Sequence, residues 1–135
     1  MHAKPAVIDT NVLVFDSFKD SEHYEEAANL LNDLQRGIIP GFVIHEYVLV
    51  LKGLDLPLSF LRGKVREYLL NEKTSFSPTN IGNINYALKN MEKITEYNDL
   101  LILSTALRDD QYLASFDEKL RSRAETLGLE TLPKF

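Results

Sequence analysis

The sequence predicts an α/β fold: a three-layer sandwich with a central, mainly parallel sheet of four or five strands flanked by helices. Three observations predict it. Short apolar runs of strand length alternate with longer stretches whose apolar residues recur at helical spacing, the pattern of βαβ units. The first run, Ala6-Val7-Ile8, shows no polar alternation, as a strand covered on both faces requires. The 135 residues are 44% apolar, enough for one domain over residues 1–135, and no stretch reads as linker, repeat or low complexity.

The first strand is read as continuing from Ala6-Val7-Ile8 through Asp9-Thr10-Asn11 into Val12-Leu13-Val14, with the polar triplet near its end. A helix is expected from Ser21, which can cap it, with Glu22 and Glu25 in the first turn, Tyr24, Ala27, Ala28, Leu31 and Leu34 at helical spacing, and Gly37 as its stop. Ile38 to Val43 reads as a second strand. Two helices follow, one through His45 to Leu51 ending at Gly53, the other from Pro57 with Leu58, Leu61, Val65, Tyr68 and Leu69 on one face. Thr74 to Ser77 is a weak strand. Ile81, Ile84, Ala87, Leu88, Met91 and Ile94 mark a helix, and Asn98-Asp99 opens another whose run Leu100-Leu101-Ile102-Leu103 is apolar all round and therefore buried. Tyr112 to Phe116 is a strand ended by Asp117, Glu118 to Thr126 a helix closed by Gly128, and Leu129 to Leu132 the last strand.

Composition narrows the function. The chain has no Cys, which excludes disulfides, thiolate metal sites and cysteine catalysis and suits a reducing cytosol. No apolar run approaches the roughly 20 residues of a membrane helix, and the N-terminal residues turn straight into a strand instead of a signal sequence, so a cytoplasmic protein is expected. The net charge is −5, divided as −3 over residues 1–67 and −2 over residues 68–135. A binder of nucleic acid by bulk positive charge is excluded.

In an open parallel sheet, ligands bind beyond the carboxyl ends of the strands. Four acids fall there: Asp9 after the first strand, Glu46 in the first turn of the helix after the second, Asp99 at a helix N-terminus, and Asp117 after the fourth strand. All have apolar neighbours, unlike the solvated acids Glu22, Glu25 and Glu26 or Asp109 and Asp110. Taken singly, each has an ordinary role, as a local turn former, a partner of the helix dipole or an N-cap. Taken together on one sheet edge, they repel one another unless a cation is present. All-oxygen ligands select a hard divalent ion, so Mg²⁺ or Mn²⁺ is expected, and a four-carboxylate cluster can hold two. Hydrolysis of a phosphodiester is the chemistry such a site performs.

Val7-Ile8-Asp9-Thr10-Asn11-Val12-Leu13-Val14, the lone Glu46 in Ile44-His45-Glu46-Tyr47-Val48-Leu49, the helix Asn98-Asp99-Leu100 to Leu107, and Leu113-Ala114-Ser115-Phe116-Asp117 together resemble the PIN-domain ribonucleases. The compact length is similar to the VapC-type toxins among them. The resemblance covers essentially the whole chain in order and spacing, and it implies that Asp9, Asp99 and Asp117 bind metal, that Glu46 is their acidic partner, often acting through water, and that Thr10, Asn11 and Ser115 support them. It also implies cleavage of RNA with Mg²⁺ or Mn²⁺ to a 5′-phosphate and a 3′-hydroxyl, a homodimer, and an antitoxin partner. The strongly apolar helix pair from Tyr47 to Leu70 departs from the family's common pattern and leaves the partner surface open. Its apolar faces exceed what one small core covers, which favours a dimer or a bound partner helix.

An RNA substrate needs cationic contacts. Arg62 with Arg66, and Lys119 with Arg123, stand four residues apart and share helix faces. Lys119 is the better candidate, two residues after Asp117, whereas Arg121 reads as an ordinary solvated residue. His45 is expected outside the site, about 100° around its helix from Glu46. His2 and His23 read as surface residues, and Tyr47, Tyr97 and Tyr112 as core. A haloacid-dehalogenase-type phosphotransferase needs an acid where Asn11 stands, a receiver domain needs a paired acid and a late Lys, and the six glycines form no phosphate-binding loop. A PIN-like scaffold without catalysis, and an RNA-processing enzyme that is not a toxin, are the remaining readings.

Overall fold

The computed structural model describes residues 4–134, so His2 lies outside the described residues. Within them, strands β1 (Ala6–Ile8), β2 (Gly37–Pro40), β3 (Thr74–Ser77), β4 (Tyr112–Ala114) and β5 (Thr131–Leu132) form one sheet in the order β3-β2-β1-β4-β5. Every pairing is parallel, and Val7 lies between Ile38 and Leu113, which makes β1 the centre. Helices α1 (Thr10–Ser17) and α2 (Tyr24–Asp33) connect β1 to β2, α3 (Gly41–Gly53) and α4 (Leu58–Leu70) connect β2 to β3, α5 (Ile81–Asn90) and α6 (Tyr97–Arg108) connect β3 to β4, and α7 (Glu118–Thr126) leads to β5. All three residues of β1 are buried, as double cover demands. Right-handed crossovers place α1 to α4 over one face and α5 to α7 over the other, because the chain runs outward from β1 to β3 and then jumps back to β4. None of the described helices is long and apolar enough to cross a membrane.

Several element boundaries differ from the sequence expectation, each for a local reason. The first strand ends at Ile8, because Asp9 takes an extended backbone and its carboxylate accepts a hydrogen bond from the Thr10 N–H at 2.8 Å, capping α1. Val12, Leu13 and Val14 therefore turn their apolar side chains inward from a helix. Pro40 closes β2, so Gly41 to Val43 open α3, and Glu46 sits in its second turn instead of its first. Ser21 does not cap α2; its hydroxyl donates to the carbonyls of Phe15 and Phe18, tightening the turn before the helix starts at Tyr24. Ser115 and Phe116 leave β4, and Leu129 packs into the core ahead of β5. Gly128, at φ +86°, supplies the left-handed residue that stops α7 while its N–H donates to the Glu125 carbonyl.

The core is densest around α6, where Leu100 to Ala106 are all buried, as the all-round apolar run predicts. A polar network crosses it. The Ser17 hydroxyl lies 2.6 Å from the Tyr47 hydroxyl, and the Tyr68 hydroxyl donates to Asp16 Oδ2 at 2.7 Å, tying α1 to α3 and α4. Burial pushes the Tyr47 phenol up to about 12, so both rings stay neutral donors. The apolar faces of α4 and α5 are only partly covered. Leu58 and Leu69 are exposed, as are Ile81, Ile84 and Leu88, while α5 ends at Asn90 and Ile94 stands exposed in a short 3₁₀ turn, Ile94–Glu96.

This division of the apolar residues is testable by urea unfolding. Leu103→Ala should destabilise the fold by ~2–5 kcal/mol through the cavity it leaves. Leu88→Ala, on the exposed face of α5, should change stability by no more than ~0.5 kcal/mol.

Candidate functional site

Beyond the carboxyl ends of β1 and β4, a cleft of about 340 Å³ is lined by Asp9, Thr10, Asn11, Val14, Phe15, Phe42, Glu46, Val50, Asn98, Asp99 and Asp117. The four acids singled out in the sequence thus face one cleft, each delivered by a different element. The chain reverses its direction of travel between β1 and β4, the position where open parallel sheets place their ligands.

A continuous hydrogen-bonded chain fixes these side chains. Asp9 Oδ1 accepts from the Thr10 N–H, and Asp9 Oδ2 accepts from the buried Ser115 hydroxyl at 2.7 Å. Ser115 Oγ in turn accepts from the Asp117 N–H at 3.0 Å, and Asp117 Oδ1 accepts from the Leu120 N–H, capping α7. The Thr10 hydroxyl donates to Glu46 Oε1 and the Asn98 amide to Glu46 Oε2, each at 2.9 Å. Asn11 Oδ1 accepts from the Phe116 N–H at 3.2 Å and pins the β4–α7 turn to α1. Among the described residues the Asp99 carboxylate accepts no hydrogen bond, which leaves it able to turn within the cleft.

Burial raises the Asp9 carboxyl to about 6 against the opposing bonds from Ser115 and Thr10, and the charges of Asp99 and Glu46 push the same way. Asp99 is also raised, first by burial and then by the charge of Asp117, and is partly relieved by Lys119 and Arg123. The cleft thus concentrates negative charge beyond what its protein neighbours neutralise. Its donor set suits a hard divalent cation: carboxylate, hydroxyl and amide oxygens, with no sulfur, and with the exposed His45 outside the lining. Among the described residues no three acidic, His or Cys side chains are close enough to hold an ion as they stand, so ligation calls for rotation of a carboxylate such as Asp99.

The remaining sequence candidates separate. Lys119 is exposed in the first turn of α7 and acts electrostatically on Asp99. Arg123 is bound to Glu96 Oε2 at 2.8 Å. Arg62 and Arg66 are exposed on α4, which contributes no residue to the cleft. Arg121 is not a solvated residue: it is buried and donates to the carbonyls of Ser115, Leu132 and Pro133, clamping the residue after β4 to the end of β5 and the proline that follows it. Nor is His23 a free surface side chain, since its ring stacks on Phe116 at 4.7 Å and meets Phe15 edge-on at 5.0 Å. Tyr47 is core, as expected, and Tyr97 and Tyr112 pack against it. Sequence reasoning gave no role to Asn98 or to the apolar wall of Val14, Phe15, Phe42 and Val50. The polar Asn98-Asp99 pair heading an otherwise apolar helix was the available signal for the first.

Residues 6–125 match the sequence profile of the PIN domain, and the chain belongs to that family. Solved structures share its fold. VapC20 of Mycobacterium tuberculosis, a toxin that cleaves the sarcin-ricin loop, superposes with a TM-score of 0.75 at 10% identity, over 87% of this chain and 94% of that one. VapBC2 of Rickettsia felis, bound to a DNA fragment from its promoter, gives 0.67 at 20% identity over 94% and 96%. The PIN domain endonuclease Utp24 gives 0.55 at 19% over 94% and 82%. No curated protein matches the sequence.

Two carboxyls shifted in opposite directions make the electrostatics testable in EDTA. Asp9 is raised to about 6 from 3.8, so the folded state holds its proton more tightly, and stability falls as pH rises through that window. Asp9→Asn, which keeps a Thr10 acceptor, should therefore melt higher than wild type at pH 7.5 and lose that advantage by pH 4. Glu96 is lowered to about 2 from 4.5 by the N–H groups of Glu92 and Lys93 and then by Arg123. Its contribution is present above pH 4.5 and lost toward pH 2, so Glu96→Gln should melt lower than wild type at neutral pH, with the gap closing on acidification.

Proposed function

We propose that this protein is a metal-dependent endoribonuclease that hydrolyses RNA phosphodiester bonds in the cleft of Asp9, Glu46, Asp99 and Asp117. The observation that carries the reading is the convergence of four carboxylates from four elements, two of them raised in pKa, at the crossover edge of a parallel sheet. Such a cluster is costly for a merely structural purpose and suits Mg²⁺ or Mn²⁺ held by those four residues. When bound, the ion supplies neutralisation of a phosphodiester and a water acidic enough to attack it, in the manner of two-metal sites.

The chain's own residues do the rest. Asp9 must be ionised to ligate, which it is above about pH 6, and the bonds from Thr10 and Ser115 hold it in a fixed orientation. Lys119 stands at the cleft's edge as a cation for an adjoining phosphate, and Arg123 adds a second once drawn from Glu96. Phe15 and Phe42 give the cleft an apolar wall against which a base can lie.

The likeness to VapC20, to VapBC2 and to a toxin–antitoxin complex of Klebsiella pneumoniae supports a toxin held in check by an antitoxin protein. The exposed apolar residues of α4 and α5 are consistent with a homodimer, and the absence of Cys suits the cytoplasm.

Incubation of RNA with the purified protein and Mn²⁺ should yield cleavage that EDTA abolishes and that Asp9→Asn or Asp117→Asn lowers on the order of 100-fold or more. Cleavage persisting in EDTA or in Asp9→Asn would refute the reading, and no cleavage of any RNA with Mn²⁺ would leave a binding scaffold as the function. Saturating Mn²⁺, at about 100 times its Kd, should add about 2.7 kcal/mol of stability, visible as a higher melting temperature.

A further inference from the structure

We propose that Asn98 is a positioning residue for Glu46, and that its amide sets the direction in which the Glu46 carboxylate meets a bound cation; this rests on the reading of the cleft as a divalent-metal site. Glu46 is the cleft acid with the longest tether. Asp9 and Asp117 are immobilised as caps of their own helices, whereas Glu46 projects from within α3 on a side chain with three rotatable bonds. Its carboxylate is held only from other elements. Oε1 takes the Thr10 hydroxyl and Oε2 takes the Asn98 amide, both at 2.9 Å.

The two donors are sequence neighbours of the other acids, Thr10 following Asp9 and Asn98 preceding Asp99. The Glu46 carboxylate is therefore strung between α1 and α6, and its position is referred to Asp9 on one side and Asp99 on the other. One hydrogen bond leaves a carboxylate able to pivot about the bonded oxygen; the second fixes its plane. Thr10 is also part of the α1 cap, so its hydroxyl is placed by the fold. Asn98 is exposed in the first turn of α6 and donates its amide to Glu46 alone among the described residues. A side chain at that position that served only the helix end would bond to the helix's own backbone, and Asn98 does not.

The test is a calorimetric Mn²⁺ titration of the full chain, as wild type, Asn98→Ala, Glu46→Gln and the double variant, with melting temperatures in EDTA alongside. The expected result is a loss of Mn²⁺ affinity of about 10-fold in Asn98→Ala, the scale of losing an outer hydrogen bond to a ligand, with a melting temperature close to wild type. In the Glu46→Gln background, Asn98→Ala should weaken binding no further, because its effect passes through Glu46. Wild-type affinity in Asn98→Ala overturns the proposal, as does an undiminished loss in the Glu46→Gln background. A wild-type protein that binds no Mn²⁺ at all overturns the metal reading itself, and this proposal with it.

Discussion

The burial of one carboxylate at the end of the central strand is the constraint on which the rest of the site depends. β1 is covered on both faces and leads directly into Asp9, so the chain must house an acid at the edge of its core. It does so by giving every polar group of Asp9 a partner. The backbone N–H donates to the Ala114 carbonyl at 2.9 Å, continuing the β1–β4 ladder one residue beyond the strand, and the two carboxylate oxygens take Thr10 and Ser115. Satisfying the first oxygen starts α1. Satisfying the second requires Ser115 to leave β4 with its hydroxyl toward β1, and that same hydroxyl orients Asp117. One half-buried acid thereby fixes the exit of two strands and the entry of two helices.

Helix N-termini supply the compensation that makes this arrangement tolerable. Asp9 and Asp117 cap α1 and α7, and Asp99 lies in the first turn of α6, so three helices point their positive ends at the cleft. The structural and functional readings of these acids are therefore not alternatives. A cap uses one carboxylate oxygen, as Asp117 shows with Oδ1 toward Leu120, and leaves the other available. The same ends that soften carboxylate repulsion also favour the approach of phosphate oxygens.

The α/β class and the positions of β1, β2 and β4 were legible in the sequence, since burial on both faces leaves a signal of mostly apolar residues, whereas the edge strand β3, Thr74–Ser77, is largely polar and left only a weak one. The boundaries were not. Apolar residues resume after the short breaks at Asp9-Thr10-Asn11 and Pro40-Gly41, so one strand pattern spans what is a strand followed by a helix, and the change is marked by the Asp9 cap in the first case and by Pro40 in the second. Apolar spacing also overstated the core. Ile81, Ile84 and Leu88 repeat at helical spacing yet lie exposed, because periodicity reports a face and not what covers it. The four acids were legible through their apolar flanks. Arg121 was not, because its three carbonyl partners are brought together by a turn of chain and carry no local pattern.

The charge of the chain takes on meaning once its acids are located. Setting aside the four cleft carboxylates leaves fifteen basic residues against sixteen acidic ones, close to balance. The excess is thus concentrated at one place, where one divalent ion halves it and two cancel it. An anionic substrate approaching the cation-free cleft meets Asp9, Asp99 and Asp117, with Lys119 as the near cation and Arg123 already bound to Glu96. With a hard cation in the cleft the same surface becomes attractive, and the helix ends and Lys119 act with it instead of against the carboxylates. Binding of the proposed RNA substrate and binding of metal are then coupled by electrostatics alone, without any change of fold.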